Sequence, residues 1–397
     1  MTARPPISDV IGPNPTGAVR RVSLAIRQSL LRVSRDGQPQ YAVVACSGGP
    51  DSMALAALTI DVAASLKIPV HTVTIDHQIR PESSIEAEQV AATMRRLGAA
   101  NASVVKVNLA AASRYGDASS GPEGSARNAR HAALERECRV LARAENARVY
   151  LLYGHTMDDQ AETVLLGLGR GSGLRSLAGM KLVAPPDDAD QHQPWKLRPL
   201  LSVRRTDTEL VCKHLGLPAV NDPTNAADGP WRCADGSALR RAAVREFALP
   251  ALAGALGKDP APALLRTAWQ MQRDNECLDQ IAEALLADAE CEVHDSTYTG
   301  RRAKVDLDIE KLTNLHEAIV SRIVRLAALQ AGANASALNS TQIDAMTALV
   351  LQYRGQGPVY LPGGVVAARV RLDPPTPHGT PGLAQYDASA AIRLSFS

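Results

Sequence analysis

Four short apolar runs rich in β-branched residues, at 42–46, 70–75, 103–107 and 149–153, alternate with helix-like stretches at 52–66, 84–97 and 125–144. Runs without a polar alternate face need cover on both sides, as strands of parallel sheets have. The order predicts an α/β fold, a doubly wound and mostly parallel sheet, which binds ligands beyond the carboxyl ends of its strands. The chain has 397 residues, more than one ordinary domain needs. We expect a helical lead-in over 1–40, a sheet domain over 41–250, a helical domain over 251–340 and a small α+β segment over 341–397. The last carries a strand hairpin around Gly363-Gly364. Apolar periodicity predicts helices at 261–288 and 306–333. Pro/Asp/Gly-rich stretches at 184–194 and 226–237 read as exposed insertions.

The net charge of +2 neither requires nor excludes a polyanionic partner. Aromatic residues are only 3 %, so any nucleic-acid contact leans on charge and shape rather than base stacking. The six cysteines include no C-x-x-C pair, so disulfide frameworks, zinc sites and iron–sulfur clusters lack their spacing. No apolar stretch of about 18 residues suggests a membrane span, and the N-terminus lacks a signal-like apolar run. A cytoplasmic protein is expected.

Ser47, Gly48, Gly49, Pro50, Asp51 and Ser52 lie between the first strand and its helix. Two glycines let the backbone turn tightly and aim amide N–H groups at one spot, where a helix N-terminus adds partial positive charge. That spot suits a phosphate. Ser47 and Ser52 offer hydroxyls, and Asp51 suits Mg²⁺ bridging polyphosphate oxygens. The alternative is a turn in which Ser and Asp only cap the helix. Neither a Walker Gly-Lys-Ser/Thr nor a G-x-G-x-x-G is present in the loop. At the second strand end, Asp76 and His77 either border a nucleoside pocket or serve as turn cap and surface residue.

The fourth strand runs into His155, Thr156, Asp158, Asp159 and Glu162. Asp159 and Glu162 stand i, i+3 on one helical face, so their carboxylates converge and suit Mg²⁺ or an ammonium group. On the preceding helix Arg127 and Arg130 form a basic ridge, with Glu123 one turn earlier. They either neutralise a phosphate or developing oxyanion at the sheet edge, or are solvated charges.

Over residues 42–250 these motifs closely resemble the tRNA(Ile)-lysidine synthetases, N-type ATP pyrophosphatases of the PP-loop superfamily. The resemblance rests on Ser47 to Ser52, Asp76-His77, Arg127 with Arg130, and Gly154 to Thr163. It continues through Arg170-Gly171-Ser172-Gly173-Leu174, Arg198-Pro199-Leu200-Leu201 and Asp222-Pro223-Thr224-Asn225 to Arg241, Arg245 and Pro250. It implies ATP and Mg²⁺ as cofactors, and an isoleucine tRNA with a CAU anticodon and L-lysine as partners. The implied reaction adenylates C2 of the wobble cytidine, then displaces AMP with the lysine amine. In that scheme Ser47 to Ser52, Asp76, His77 and His155 bind ATP, and Asp51 holds Mg²⁺. Asp51, Arg127, Arg130, Asp159 and Glu162 are catalytic, and Arg205, Arg241 and Arg245 meet the tRNA backbone. The helical domain contacts the tRNA body or, alternatively, serves packing or a homodimer.

The sequence departs from the family pattern at His131, where Tyr is usual, in a long segment between Asn225 and Arg241, and in a looser C-terminal third. Other readings are a tRNA thiolase, disfavoured by the missing C-x-x-C pairs, and a silent RNA-binding relative, disfavoured by Asp51, Asp159 and Glu162. An amidotransferase-type synthetase would need a glutaminase cysteine, and none is recognisable.

Overall fold

The computed structural model describes residues 5–34, 37–78, 82–107, 121–171, 173–186, 190, 192–220, 229, 236–291, 305–335, 337–371 and 390–396. Residues 187–189 and 191 of the first expected insertion, most of the second, and the Asp222-Pro223-Thr224-Asn225 motif lie outside them. The chain divides into two compact units, 1–272 and 273–397, so the four expected segments are distributed over two bodies.

The first unit is built on β1 (Gln40–Ala45), β2 (Val70–Asp76), β3 (Asn101–Lys106), β4 (Arg148–Leu152), β5 (Val183–Ala184) and β6 (Trp195–Leu197), in the order β3-β2-β1-β4-β6-β5. Only the β5–β6 pairing is antiparallel. The four expected strands are present within two residues of their predicted ends; β1, β2 and β4 are buried over most of their length, while the edge strand β3 is only partly covered.

Alternate residues of β1 and β4 serve different cores. Ala42, Val44, Tyr150 and Leu152 face α2 (Gly17–Val33), α3 (Pro50–Ser65) and α4 (Ser83–Leu97). Val43, Val149, Leu151 and Tyr153 face α5 (Gly121–Ala144). The sheet thus has helices on both faces, and its order reverses between β1 and β4, where ligands of such sheets settle. Helix α3 is apolar nearly all round and buried from Ser52 through Ile60, which fixes its N-terminus rigidly against the sheet edge. Short α1 (Pro6–Ile11) closes the α3 side through Ile7.

Beyond β4 come α6 (Met157–Gly169), α7 (Leu174–Leu177), α8 (Arg205–His214) and α9 (Arg240–Ala243). A π-helical turn at Val244–Ala248 then leads into α10 (Leu249–Leu256). Cys46, Cys138 and Cys212 are free, buried thiols. Burial pushes Cys46 up to about 11, which keeps it a thiol.

Helix α11 (Ala261–Ala289) contains the division between the units. The second unit adds β7 (Val305–Asp308), α12 (Ile309–Thr313), α13 (Glu317–Gln330), α14 (Ser340–Leu351), β8 (Val359–Leu361), β9 (Val365–Arg371) and β10 (Ala390–Phe396). The strands form an antiparallel sheet in the order β7-β10-β9-β8, with the expected hairpin at Gly363-Gly364. The expected helix over 306–333 is corrected: its first residues pair with β10 as a strand, and Asn314 separates the remainder into α12 and α13. A buried cross-strand pair, Arg393 Nε to Asp306 Oδ1 at 3.0 Å, holds that register. Among the described residues no helix is long and apolar enough to cross a membrane.

Candidate active site

The strand-to-helix loop after β1 is closed by its own serines. The Ser47 amide donates to Ser52 Oγ at 3.1 Å, and Ser52 Oγ donates to the Gly49 carbonyl at 3.0 Å. The Ser52 hydroxyl therefore braces the loop instead of facing outward. Gly48 has φ +87°, a conformation other residues resist, and a Cβ there would meet Val90 Cγ2 at 3.1 Å. Gly154, just past β4, lies against the loop's far side: a Cβ would stand 3.2 Å from the Asp51 carbonyl carbon and the Ser52 amide nitrogen. The two strand ends are pressed together there.

The next helix starts on a capping box. Thr156 Oγ1 accepts from the Asp159 amide, while Asp159 Oδ2 accepts from the Thr156 amide at 2.8 Å. This leaves Asp159 Oδ1 facing Arg205, whose Nη2 donates to it at 2.9 Å. Arg205, at the start of α8, also places Nε 3.3 Å from Asp51 Oδ2 and Nη1 3.8 Å from Glu162 Oε1. Its backbone amide donates to Asp158 Oδ2 at 2.8 Å, and Arg204 Nη2 pairs with Asp158 Oδ1 at 2.8 Å. Thr208 Oγ1 donates to Asp51 Oδ1. Glu162 is fully buried, with Oε1 accepting from Arg245 Nε at 2.7 Å and Oε2 having no partner. Arg245 rides on the π-helical turn, a device common at functional sites.

The environments drive the carboxylates apart. Burial, outweighing Thr208 and Arg205, pushes Asp51 up to about 6. Burial likewise pushes Glu162 up against the pull of Arg245. Burial acts on Asp159 in the same direction, but the Arg205 charge and the Thr156 donors outweigh it and hold Asp159 below its ordinary value.

The predicted acids Asp51, Asp159 and Glu162 therefore do converge. Arg205 is corrected: the role expected for it was a tRNA backbone contact, yet its guanidinium is taken up by three carboxylates inside the site. Arg245 is likewise engaged with Glu162, and Arg241 Nη2 donates to Thr163 Oγ1 at 3.4 Å. Asp76 takes the turn-capping alternative, accepting from Ser83, Ser84 and the Gln78 amide at 2.5–2.9 Å. His77 is half-buried with Nδ1 unbonded, and burial together with the Arg130 charge keeps it neutral. His155 stacks on Tyr153 with centroids 5.7 Å apart. The Arg127 side chain lies outside the described residues. Asp158, Arg204 and Thr208 carry no role in the sequence reading, since the separations of 46 to 157 residues that join this cluster leave no local signal.

A phosphate-shaped loop, a cluster of acids of unequal basicity and two arginines that bridge them thus share one sheet edge. Residues 22–251 match a family model described as a PP-loop domain, and residues 307–372 match one described as a TilS substrate binding domain. The tRNA(Ile)-lysidine synthase of Streptomyces coelicolor is 40 % identical over 327 residues, covering 82 % of each chain. That of Salinispora tropica is 39 % identical over 355 residues, covering 89 % of this chain and 94 % of its own. The Salinispora arenicola synthase is 37 % identical over 351 residues, with 88 % and 93 % covered.

Proposed function

The chain belongs to the tRNA(Ile)-lysidine synthase family, and from that premise we propose that it ligates lysine to C2 of the wobble cytidine in an isoleucine tRNA bearing a CAU anticodon. ATP supplies the activation. The cytidine C2 oxygen attacks the α-phosphorus, releasing pyrophosphate into the loop at Ser47 to Ser52, whose amides and helix N-terminus favour the departing charge. Arg130, with Arg127 on the same helix, neutralises the α-phosphate.

The donor chemistry suits a divalent cation as well. Asp51 and Asp159 already share one cation, the Arg205 guanidinium, at 3.3 and 2.9 Å. Mg²⁺ would be held by Asp51 together with phosphate oxygens and would supply charge neutralisation at the leaving group.

The second step needs lysine as a neutral amine. The observation that carries this reading is the acid pair on α6 with opposed basicities. Asp159, held low, stays anionic and orients the ammonium. Glu162, pushed up by burial and with Oε2 unbonded, takes its proton. AMP then leaves C2.

Incubation with labelled lysine, ATP, Mg²⁺ and the unmodified tRNA tests the reading. Label in the tRNA with stoichiometric AMP is the expected result, and neither product appearing would overturn it. The homodimer remains a proposal of the sequence that sedimentation tests directly.

A further inference from the structure

On the α5 face of the same sheet edge two arginines have no carboxylate to match them among the described residues. Tyr153, 3 % exposed, sits where β4 ends. His131 Nδ1 lies 3.0 Å from its phenol oxygen, and Arg198 Cζ lies 5.7 Å from its ring centroid. Arg198 follows β6, with Nη1 donating to the Lys181 carbonyl at 3.0 Å and Nε buried without a hydrogen bond. Burial disfavours the charge of both Arg198 and Arg130, and the Tyr153 phenol opposes this for each. Burial also drives the phenol's own pKa upward, so it is neutral. Glu135, the carboxylate that acts on Tyr153, is already paired with Lys196 at 2.7 Å and Arg139 at 3.6 Å.

Arg204, Arg205 and Arg245 are each ion-paired with aspartate or glutamate. Arg198, over the Tyr153 ring, and Arg130, whose charge the same phenol acts on, have no such partner among the described residues. Holding two guanidinium groups partly out of water is unfavourable unless an anion completes the set. His77, with Nδ1 unbonded and close enough to feel the Arg130 charge, adds a further polar group. Tyr153 follows β4, one of the two strands between which the sheet order reverses.

We propose that Arg198, beside Tyr153, binds a phosphate group that the loop at Ser47 to Ser52 does not hold. The chemistry is that of a phosphate oxygen accepting from a guanidinium, and two sources can supply it: the α-phosphate of the nucleotide, or a phosphodiester next to the target cytidine. Only the naming of these sources rests on the lysidine-forming reading.

Two binding measurements on the full chain separate them. One uses a non-hydrolysable ATP analogue without tRNA, the other the unmodified CAU-anticodon tRNA without nucleotide, each with wild type, R198Q and R198K. We expect R198Q to weaken one probe by about tenfold or more, as loss of a charge-assisted hydrogen bond does, while R198K recovers part of the loss. A loss confined to the analogue assigns the nucleotide. A loss confined to the tRNA, with the salt slope reduced by about one, assigns the phosphodiester. Unchanged affinity for both probes overturns the proposal, as does loss of both with a lowered melting temperature, which marks a structural role. Wild-type lysine incorporation is run in parallel: its absence would defeat the functional reading and leave both binding measurements valid.

Discussion

Glu162, fully buried, receives a hydrogen bond from Arg245 Nε at 2.7 Å on Oε1 and leaves Oε2 without a partner. An acid so placed is restrained in orientation yet keeps one oxygen ready for a proton. Glu162→Gln preserves the shape and removes the basicity. Lysine transfer is expected to slow by about a hundredfold, with KM for ATP unchanged. Steady-state kinetics with lysine varied checks it, and an unaltered kcat would remove Glu162 from the proton path. Asp159→Asn should instead raise KM for lysine, because the proposed role of that acid is to orient the ammonium.

Arg205 touches three carboxylates, so its loss leaves Asp51, Asp159 and Glu162 facing one another. Arg205→Met is expected to lose about 2 kcal/mol of stability near neutral pH. Repulsion then raises the acids, so the folded variant binds protons more tightly than its unfolded chain. Its deficit against wild type should shrink as pH falls. Denaturant unfolding at pH 7.5 and 5 tests this, and a deficit that grows on acidification would contradict it.

Asp51 titrates at about 6 rather than at 3.8, with burial the largest cause. The folded protein thus holds this proton more tightly than the unfolded chain. Its contribution is fully present below the unfolded value and is lost as pH rises through the folded one. In protein free of metal and nucleotide, Asp51→Asn should therefore be more stable than wild type well above pH 6, by about 3 kcal/mol, and equal to it below about pH 4. Catalysis should be abolished at every pH. Thermal melts across that range decide the matter.

Gly48→Ala places a methyl at φ +87° and 3.1 Å from Val90 Cγ2. A loss of about 1–2 kcal/mol is expected, with weaker ATP-analogue binding and little change in tRNA affinity. Calorimetric binding of both ligands shows whether the damage stays in the loop.

The sheet was legible because its central strands are buried on both faces and therefore spell continuous apolar runs. Strands β5 and β6 were not, since two and three residues give no periodicity to read. Strand β7 was absorbed into a helical pattern because Val305-Asp306-Leu307-Asp308 offers only one alternation before Ile309 begins a helix. In the site, Asp159 and Glu162 could be paired from helical spacing alone. That Arg205 belongs with them could not, because its spacing on α8 is equally that of a solvated charge, and only the docking of α8 against α3 brings it to Asp51. Asp76 shows the opposite case: a strand-end aspartate reads as a ligand, yet its carboxylate is taken up by two serines seven and eight residues further on.

The parallel pairing of Val44 with Leu152 has a consequence for how the protein is made. The phosphate loop leaves the ribosome early, attached to a strand whose neighbour on one side, β2, emerges soon after. Its neighbour on the other side arrives only after β3 and α5 have been synthesised, and the acids of α6 come later still. Such distant pairing is slow and exposes an unpaired strand edge while it waits. A truncated chain ending before Leu152 would thus bear the phosphate loop but no opposite wall, and ATP use is deferred until the polypeptide has passed that point.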